Sequence, residues 1–455
     1  MEQRSTFYKS VLKIAIPITL QSLLQSSFSV IDQVMTGQLG STSIAGIGLG
    51  GKFSSLFSVL ISAIAAVAGI MIAQYMGKKD DREVSRSFFV NMIMAILLAV
   101  LFTVMCLILP TQIMGMYTED AMTREVAAGY LQIIAISYIP IAIATLLSTL
   151  LRCMDAAVIP LYASILAAVI NTGLNYLLIF GKFGFPKLGV TGAAVASVIS
   201  QCISCVLILI LFFRTYRKKE LQLNFIFRMN KSGRIQYLGI LLPILVCEFF
   251  WSLGENVYAS IYGHIGTDAC AAMTLTSPIQ VLLIGTLSGL SQAAAILIGK
   301  SLGSEEYEKA YCESKKLMIY GLCGAAILSL VLIVSSEWYV QIYNVEDVVR
   351  ETGKQILYAF ALVAPVKVLN MILGGGIIRS GGQTKYVMCI DILGTWGFGV
   401  PLGLLTAFVL DLSIPYVYFI LSMEECIRLA ISLVVFRKKK WMRSLEQQEN
   451  SEEEV

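Results

Sequence analysis

Apolar residues along this chain gather into about a dozen blocks of roughly 20 or more, set apart by short polar stretches. A helix of that length crosses a hydrocarbon slab of about 30 Å. The pattern predicts twelve spans, at 14–36, 46–75, 88–109, 126–150, 158–180, 190–213, 235–262, 270–299, 314–335, 351–377, 386–410 and 413–436. The first block begins after Lys13 and lacks a small-residue cleavage pattern, so it is expected to be a retained helix and not a signal peptide. The expected fold class is an all-α membrane protein.

Composition agrees. The chain is 57% hydrophobic and 14% charged, against about 25% charged residues in a soluble domain. An even number of spans puts both termini on one side. On that side fall 26 lysines and arginines, whereas the opposite loops hold only Arg124, Lys182, Lys187, Arg350 and Lys354. Positive charge concentrates on the cytoplasmic side of membrane proteins, so both termini are expected in the cytoplasm of a multi-pass protein of the cell membrane. The end of the chain, EQQENSEEEV, reads as a solvated charged tail.

The chain repeats itself. At an offset of 226 residues Pro17 falls on Pro243, Gly37 on Gly263, Gly40 on Gly266, Ala45 on Ala271 and Gly77 on Gly303, and Arg152 meets Arg379 after a one-residue gap. Glycines at such helix connections can take the positive φ that a sharp turn needs. Two halves of six helices follow, an amino-terminal lobe at 1–220 and a carboxyl-terminal lobe at 221–436, with a charged tail at 437–455. Parallel repeats of this kind are a transporter design, because two bundles can rock about a site between them. A duplicated scaffold without transport is the plainer alternative.

Charged side chains inside a span cost roughly 2.5 to 3.5 kcal/mol on insertion scales and therefore face water or a partner. In the first span Gln21, Gln25, Ser29, Asp32 and Thr36 share one helical face. In the seventh, Glu248, Ser252 and Glu255 repeat that spacing, with Glu255 on the position of Ser29. Asn171 and Asn175, four apart in the fifth span, offer carbonyl oxygens that with Asp32 suit a proton or a hard monovalent cation. Gln25 and Ser29 extend that candidate site. Glu248, Glu255 and Asp391 form a second candidate set, for cation coupling or for substrate, with Asp391 either near the membrane surface or paired with Lys367. Tyr258 and Met273 are candidate walls of a substrate cavity. Glu424 and Arg428, four apart, read as a structural helix pair.

Other chemistry is poorly supported. Gly46 to Phe53 has phosphate-loop spacing, but Phe53 stands where serine or threonine should bind magnesium, and no strand precedes it. Neither nucleotide nor nucleic acid is expected as a partner. His264, the one histidine, is placed in an outer loop, so neither a multi-histidine metal site nor an intramembrane enzyme is expected. Ten scattered cysteines read as packing residues. No cofactor is expected, and the metal expectation is limited to a sodium ion at Asp32 and Asn171. The partners are a small-molecule substrate and the bilayer, with the chain a monomer.

Several strings together resemble the multidrug and toxic compound extrusion (MATE) family across nearly the whole chain. They are IPITLQSLLQSSFSVIDQVMTGQLG at the first span, the paired loops QYMGKKDDREV and GKSLGSEEYEKA, the matched LLRCMDAAVIP and IIRSGGQTKYV, and GTWGFGVPLGLLTAF with MEECIRLAISLVVFRKKKW at the end. The resemblance implies a V-shaped pair of six-helix lobes, alternating access, and export of cationic or amphiphilic compounds in exchange for sodium ions or protons. It also implies a cation site at Asp32 and Asn171. Many members of that family have aspartate where this chain has Asn175, a change that removes an anionic ligand and makes a proton on Asp32 the more natural passenger. A flippase for lipid-linked or amphiphilic substrates shares the two-lobe architecture, but would be expected to carry a more cationic cavity than Lys52 and Lys367 supply.

Overall fold

The computed structural model describes residues 2–217, 223–343 and 345–447, and among them every regular element is helical. The helices are α1 (Glu2–Thr36), α2 (Ser41–Lys78), α3 (Asp81–Ile108), α4 (Pro110–Gly115), α5 (Ala121–Ile134), α6 (Tyr138–Cys153), α7 (Val158–Phe180) and α8 (Val190–Tyr216). There follow α9 (Lys231–Ile265), α10 (Thr267–Gly303), α11 (Tyr307–Gln341), α12 (Asp347–Asn370), α13 (Thr384–Ile392), α14 (Val400–Leu404), α15 (Ile414–Leu421) and α16 (Glu424–Arg437). Eleven spans among the described residues are long and apolar enough to cross a membrane, with α5 and α6 joined into one of them. The predicted twelfth, 413–436, is two shorter helices, α15 and α16, broken at Ser422 and Met423. Leu101, Ile108, Leu330 and Val334 point outward although apolar, the reverse of a water-facing surface and the arrangement lipid requires.

The chain divides into two compact units. One comprises Leu20–Met76 and Asp80–Met229; the other comprises Met1–Thr19, Gly77–Lys79 and Asn230–Val455. The division along α1 falls after Thr19, two residues past the internal Pro17.

In the amino-terminal unit the rejected phosphate-loop glycines have a packing role. A methyl on Gly46 would come within 2.6 Å of Val126, and one on Gly50 within 2.7 Å of Tyr130. These two glycines, one turn apart on α2, let α5 lie close against it, the use that small residues have between membrane helices. Phe57 stacks on Tyr138 at 4.4 Å, and both are almost wholly buried.

The carboxyl-terminal unit packs around Ile356, Leu357, Phe360 and Val417. Three π-helical stretches interrupt its later helices, at Met371–Ile378, Leu393–Gly399 and Leu405–Val409. Each widens a turn by about one residue, a feature that clusters at functional sites. Beyond α16 the chain does not leave the unit at once. Trp441 is fully buried and stacks on Phe436 at 5.5 Å, while the Gln236 amide donates to the Leu445 carbonyl at 2.6 Å. Of the segment expected to be a charged tail, Trp441, Ser444 and Leu445 are therefore packed while 437–440 is exposed; 448–455 lies outside the described residues.

The repeat is visible in the backbone. Pro17 and Pro243 both sit inside helices, α1 and α9. Gly40 and Gly266, matched at the same offset, both turn the chain with positive φ, +90° and +151°. Gly37 and Gly263, predicted as turn glycines, fall in helical backbone instead: Gly37 opens a short 3-10 turn and Gly263 lies within α9.

Candidate functional site

Helical geometry carries Gln21, Gln25, Ser29, Asp32 and Thr36 up one side of α1 and Asn171 and Asn175 along one side of α7, and the fold joins the two rows. The Asn175 amide donates to an Asp32 carboxylate oxygen and lies 3.2 Å from Asn171 Oδ1, and the Asn171 amide donates to Ser197 Oγ on α8 at 3.2 Å. Asn175 is only 1% exposed, Asp32 is half-buried, and Gln25 and Ser29 are exposed. The second oxygen-bearing end of this clasp is unused: Asn175 Oδ1 is buried without a hydrogen-bond partner. A buried amide oxygen left bare costs about 1 to 3 kcal/mol, so the site has an acceptor to spare beside its carboxylate.

About three turns along the same helices, Gln21 donates to Ser164 Oγ at 2.8 Å and accepts from Arg152 at 2.9 Å. The carboxyl-terminal unit repeats this contact. Position 247 corresponds to 21, and Cys247 Sγ lies 3.7 Å from the Arg379 guanidinium, the repeat counterpart of Arg152. Tyr258 corresponds to Asp32.

From Cys247 a ladder of alternating charges runs through the carboxyl-terminal unit. Arg379 stands 3.9 Å from Glu248. Cys247 donates to Asp391 at 3.0 Å, and Asp391 lies 3.8 Å from Arg428. Arg428 donates to Thr395 Oγ1 and, at 3.3 Å, to Glu424. Glu424 accepts from the Tyr258 hydroxyl at 2.7 Å. Its neighbour Glu425 accepts from Asn370 at 2.8 Å and faces the Lys367 amine at 4.0 Å. Isolated buried charges are prohibitively costly, but charges that meet opposite charges and hydrogen-bond donors are tolerated. Small residues make the room: a Cβ on Gly394 would strike the Arg428 side chain, and one on Gly399 would strike the Tyr258 hydroxyl and a Glu424 oxygen.

The sequence-predicted residues thus separate into groups. Asp32, Asn171 and Asn175 come together as expected from their spacing. Glu248 and Asp391 join one ladder, while Glu255 stays exposed on α9. Tyr258 is buried with its hydroxyl on Glu424, and Met273 packs against the apolar core. Two expectations need correction. Asp391 pairs with Arg428 and not with Lys367, because the π-helical turn at Leu393–Gly399 and the break before α16 bring Arg428 to it. His264 is in the last turn of α9, its ring bonded to the Ser260 carbonyl, and not in a loop. Sequence reasoning missed Glu425 and Asn370, and read Glu424 with Arg428 as a simple helix pair. Three charged residues within five positions of an apolar block were the available signal. Among the described residues no group of three or more His, Cys, Asp or Glu is placed to hold a metal ion.

The MatE family model matches the chain twice, over residues 17–177 and 243–405, in register with the internal repeat. The chain is 24% identical over 444 residues to the uncharacterized transporter YisQ of Bacillus subtilis (strain 168), covering 95% of each. It is 26% identical over 401 residues to the probable multidrug resistance protein NorM of Bacillus cereus (strain ATCC 14579), covering 86% of each. Its fold superposes on the crystal structure of MATE in complex with MaL6 with a TM-score of 0.87 at 17% identity, over 96% of this chain and 97% of that one.

Proposed function

The chain belongs to the MatE family, the multidrug and toxic compound extrusion transporters, and on that footing we propose that it expels small cationic or amphiphilic organic compounds by antiport with protons or sodium ions. Family membership makes it a membrane transporter and not an enzyme. It works by alternating access, as a monomer in the plasma membrane with both termini in the cytoplasm, the orientation that the lysine and arginine asymmetry favours. The relative named as a multidrug resistance protein supports the efflux reading over the flippase reading.

One observation carries the coupling: Asp32, inside a span, is clasped by Asn175, whose own Oδ1 is buried and bare. Ionised, Asp32 accepts the Asn175 N–H. Protonated, its O–H can donate to Asn175 Oδ1 after the amide turns over, so both protonation states find a partner without moving a helix. Sodium would meet one carboxylate and neutral oxygens, a weaker electrostatic match, and a proton is therefore the preferred passenger. For a neutral compound the driving force suffices, since one charge through 100 mV supplies about 2.3 kcal/mol and each tenfold gradient of a neutral solute costs about 1.4 kcal/mol; one-for-one exchange with a monocation draws on the concentration gradient of the inward ion instead.

Efflux of ethidium from proteoliposomes under separately imposed pH and sodium gradients tests this. Uphill efflux driven by the pH gradient alone is expected. Efflux driven by sodium alone replaces the proton with sodium at the same site, and equilibration that neither gradient can push uphill overturns antiport.

A further inference from the structure

The charge ladder ends unevenly. Its inner members are held closely: Glu424 is 6% exposed, Glu425 5% and Arg428 9%. Lys367 is different. Its side chain is 44% accessible, inside the span Asp347–Ile378, and its amine stands off at 4.0 Å from the carboxylate of Glu425; the Asn370 amide donates to that carboxylate at 2.8 Å and to the Glu425 backbone carbonyl at 2.7 Å. An accessible ammonium within a span does not face lipid. Asn370 Oδ1, close by, is buried without a partner. A carboxylate of fixed position thus meets a loosely held ammonium, a positive charge of the kind that an organic cation presents.

We propose that Lys367 is a tethered competitor of the exported cation. Its amine neutralises Glu425 when no substrate is bound, gives way when a substrate cation enters, and returns to displace it on the exit side. Lys367 then sets how tightly monocations are held and how readily they leave. This rests on the efflux reading above, from which its failure can be told apart.

Binding of ethidium, a permanent monocation, to purified protein and its efflux from proteoliposomes supply the test. Lys367→Met is expected to bind ethidium about fivefold more tightly, the size of effect a partly exposed ion pair exerts, and to turn over more slowly. Lys367→Arg keeps parental behaviour. The tightening must vanish when Glu425→Gln is added, because the competitor then has no seat; a merely structural lysine predicts no such dependence. A Lys367→Met protein that folds yet binds ethidium at parental strength or more weakly, while the parent exports it, overturns the competitor role and leaves the efflux reading standing. Should Lys367→Met fail to fold, the charge-preserving background decides: Lys367→Arg with Glu425→Gln must bind ethidium more weakly than Lys367→Arg, and equal binding overturns the proposal. A parent that binds no monocation overturns both.

Discussion

At the scale of the residue, a span can hold a carboxylate only if something offsets its charge, and the two units solve this differently. Asp32 uses amides, and the row Gln21 to Asp32 with Asn171 and Asn175 was readable because straight helical spacing decides which side chains share a face. Glu248, Asp391, Glu424 and Glu425 use basic partners, and those pairings were not readable. Helical spacing decides which side chains share a face of one helix but not which faces of separate helices meet, so it could not choose between Lys367 and Arg428, and the partner of Asp391 is Arg428. Glycine is what lets the ladder close. Gly399→Ala is expected to push a methyl between Tyr258 and Glu424, to destabilise the detergent-solubilised protein by about 1 to 3 kcal/mol in a thermal melt, and to depress efflux; a melt identical to the parent's would show that the contact gives way freely.

At the scale of the element, the break between α15 and α16 has a function that a hydropathy profile cannot register, since 413–436 is continuously apolar enough to pass for one helix. The break sets Glu424 and Glu425 in the first turn of α16, where the positive end of the helix dipole favours carboxylates. Adjacent acids in an apolar block were therefore a helix start seen from the sequence side. The same logic works at the amino-terminal end of α5, where Asp120 accepts from the Thr123 N–H at 2.8 Å. Hydrogen bonds from Thr123, its side chain foremost and this N–H beside it, hold the Asp120 carboxyl below its ordinary value of 3.8. A depressed carboxylate contributes stability that is complete above the unfolded-state value and lost as pH falls through the folded-state one. The melting difference between the parent and Asp120→Ala should accordingly be constant from neutral to mildly acid solution and shrink only below about pH 4. A difference already gone near pH 6 would assign the cap to another group.

At the scale of the whole molecule, duplication was legible from the sequence because a proline and several glycines recur at one offset and an arginine one residue beyond it, and the MatE model matches twice in that same register. The twelve apolar blocks were legible for the same reason that lipid selects them, namely that backbone groups in hydrocarbon must be satisfied within a helix. The grouping of the first 19 residues with the carboxyl-terminal unit was not legible, because nothing local marks the point within α1 where its contacts change. Both units nonetheless carry a charged or polar centre inside their spans at positions the repeat relates, Asp32 in one and Tyr258 with Glu424 in the other. If those centres exchange an inward-moving cation for the outgoing compound, then removing their charge must uncouple transport without abolishing recognition.

Gradient-driven ethidium efflux compared with gradient-free ethidium exchange, in proteoliposomes of the parent, Asp32→Asn and Glu424→Gln, reads this most directly. Gradient-driven efflux should fall by about tenfold or more in at least one variant, corresponding to about 1.4 kcal/mol or more, while exchange persists. Parental efflux in both variants under both pH and sodium gradients would contradict the assignment of coupling to these carboxylates.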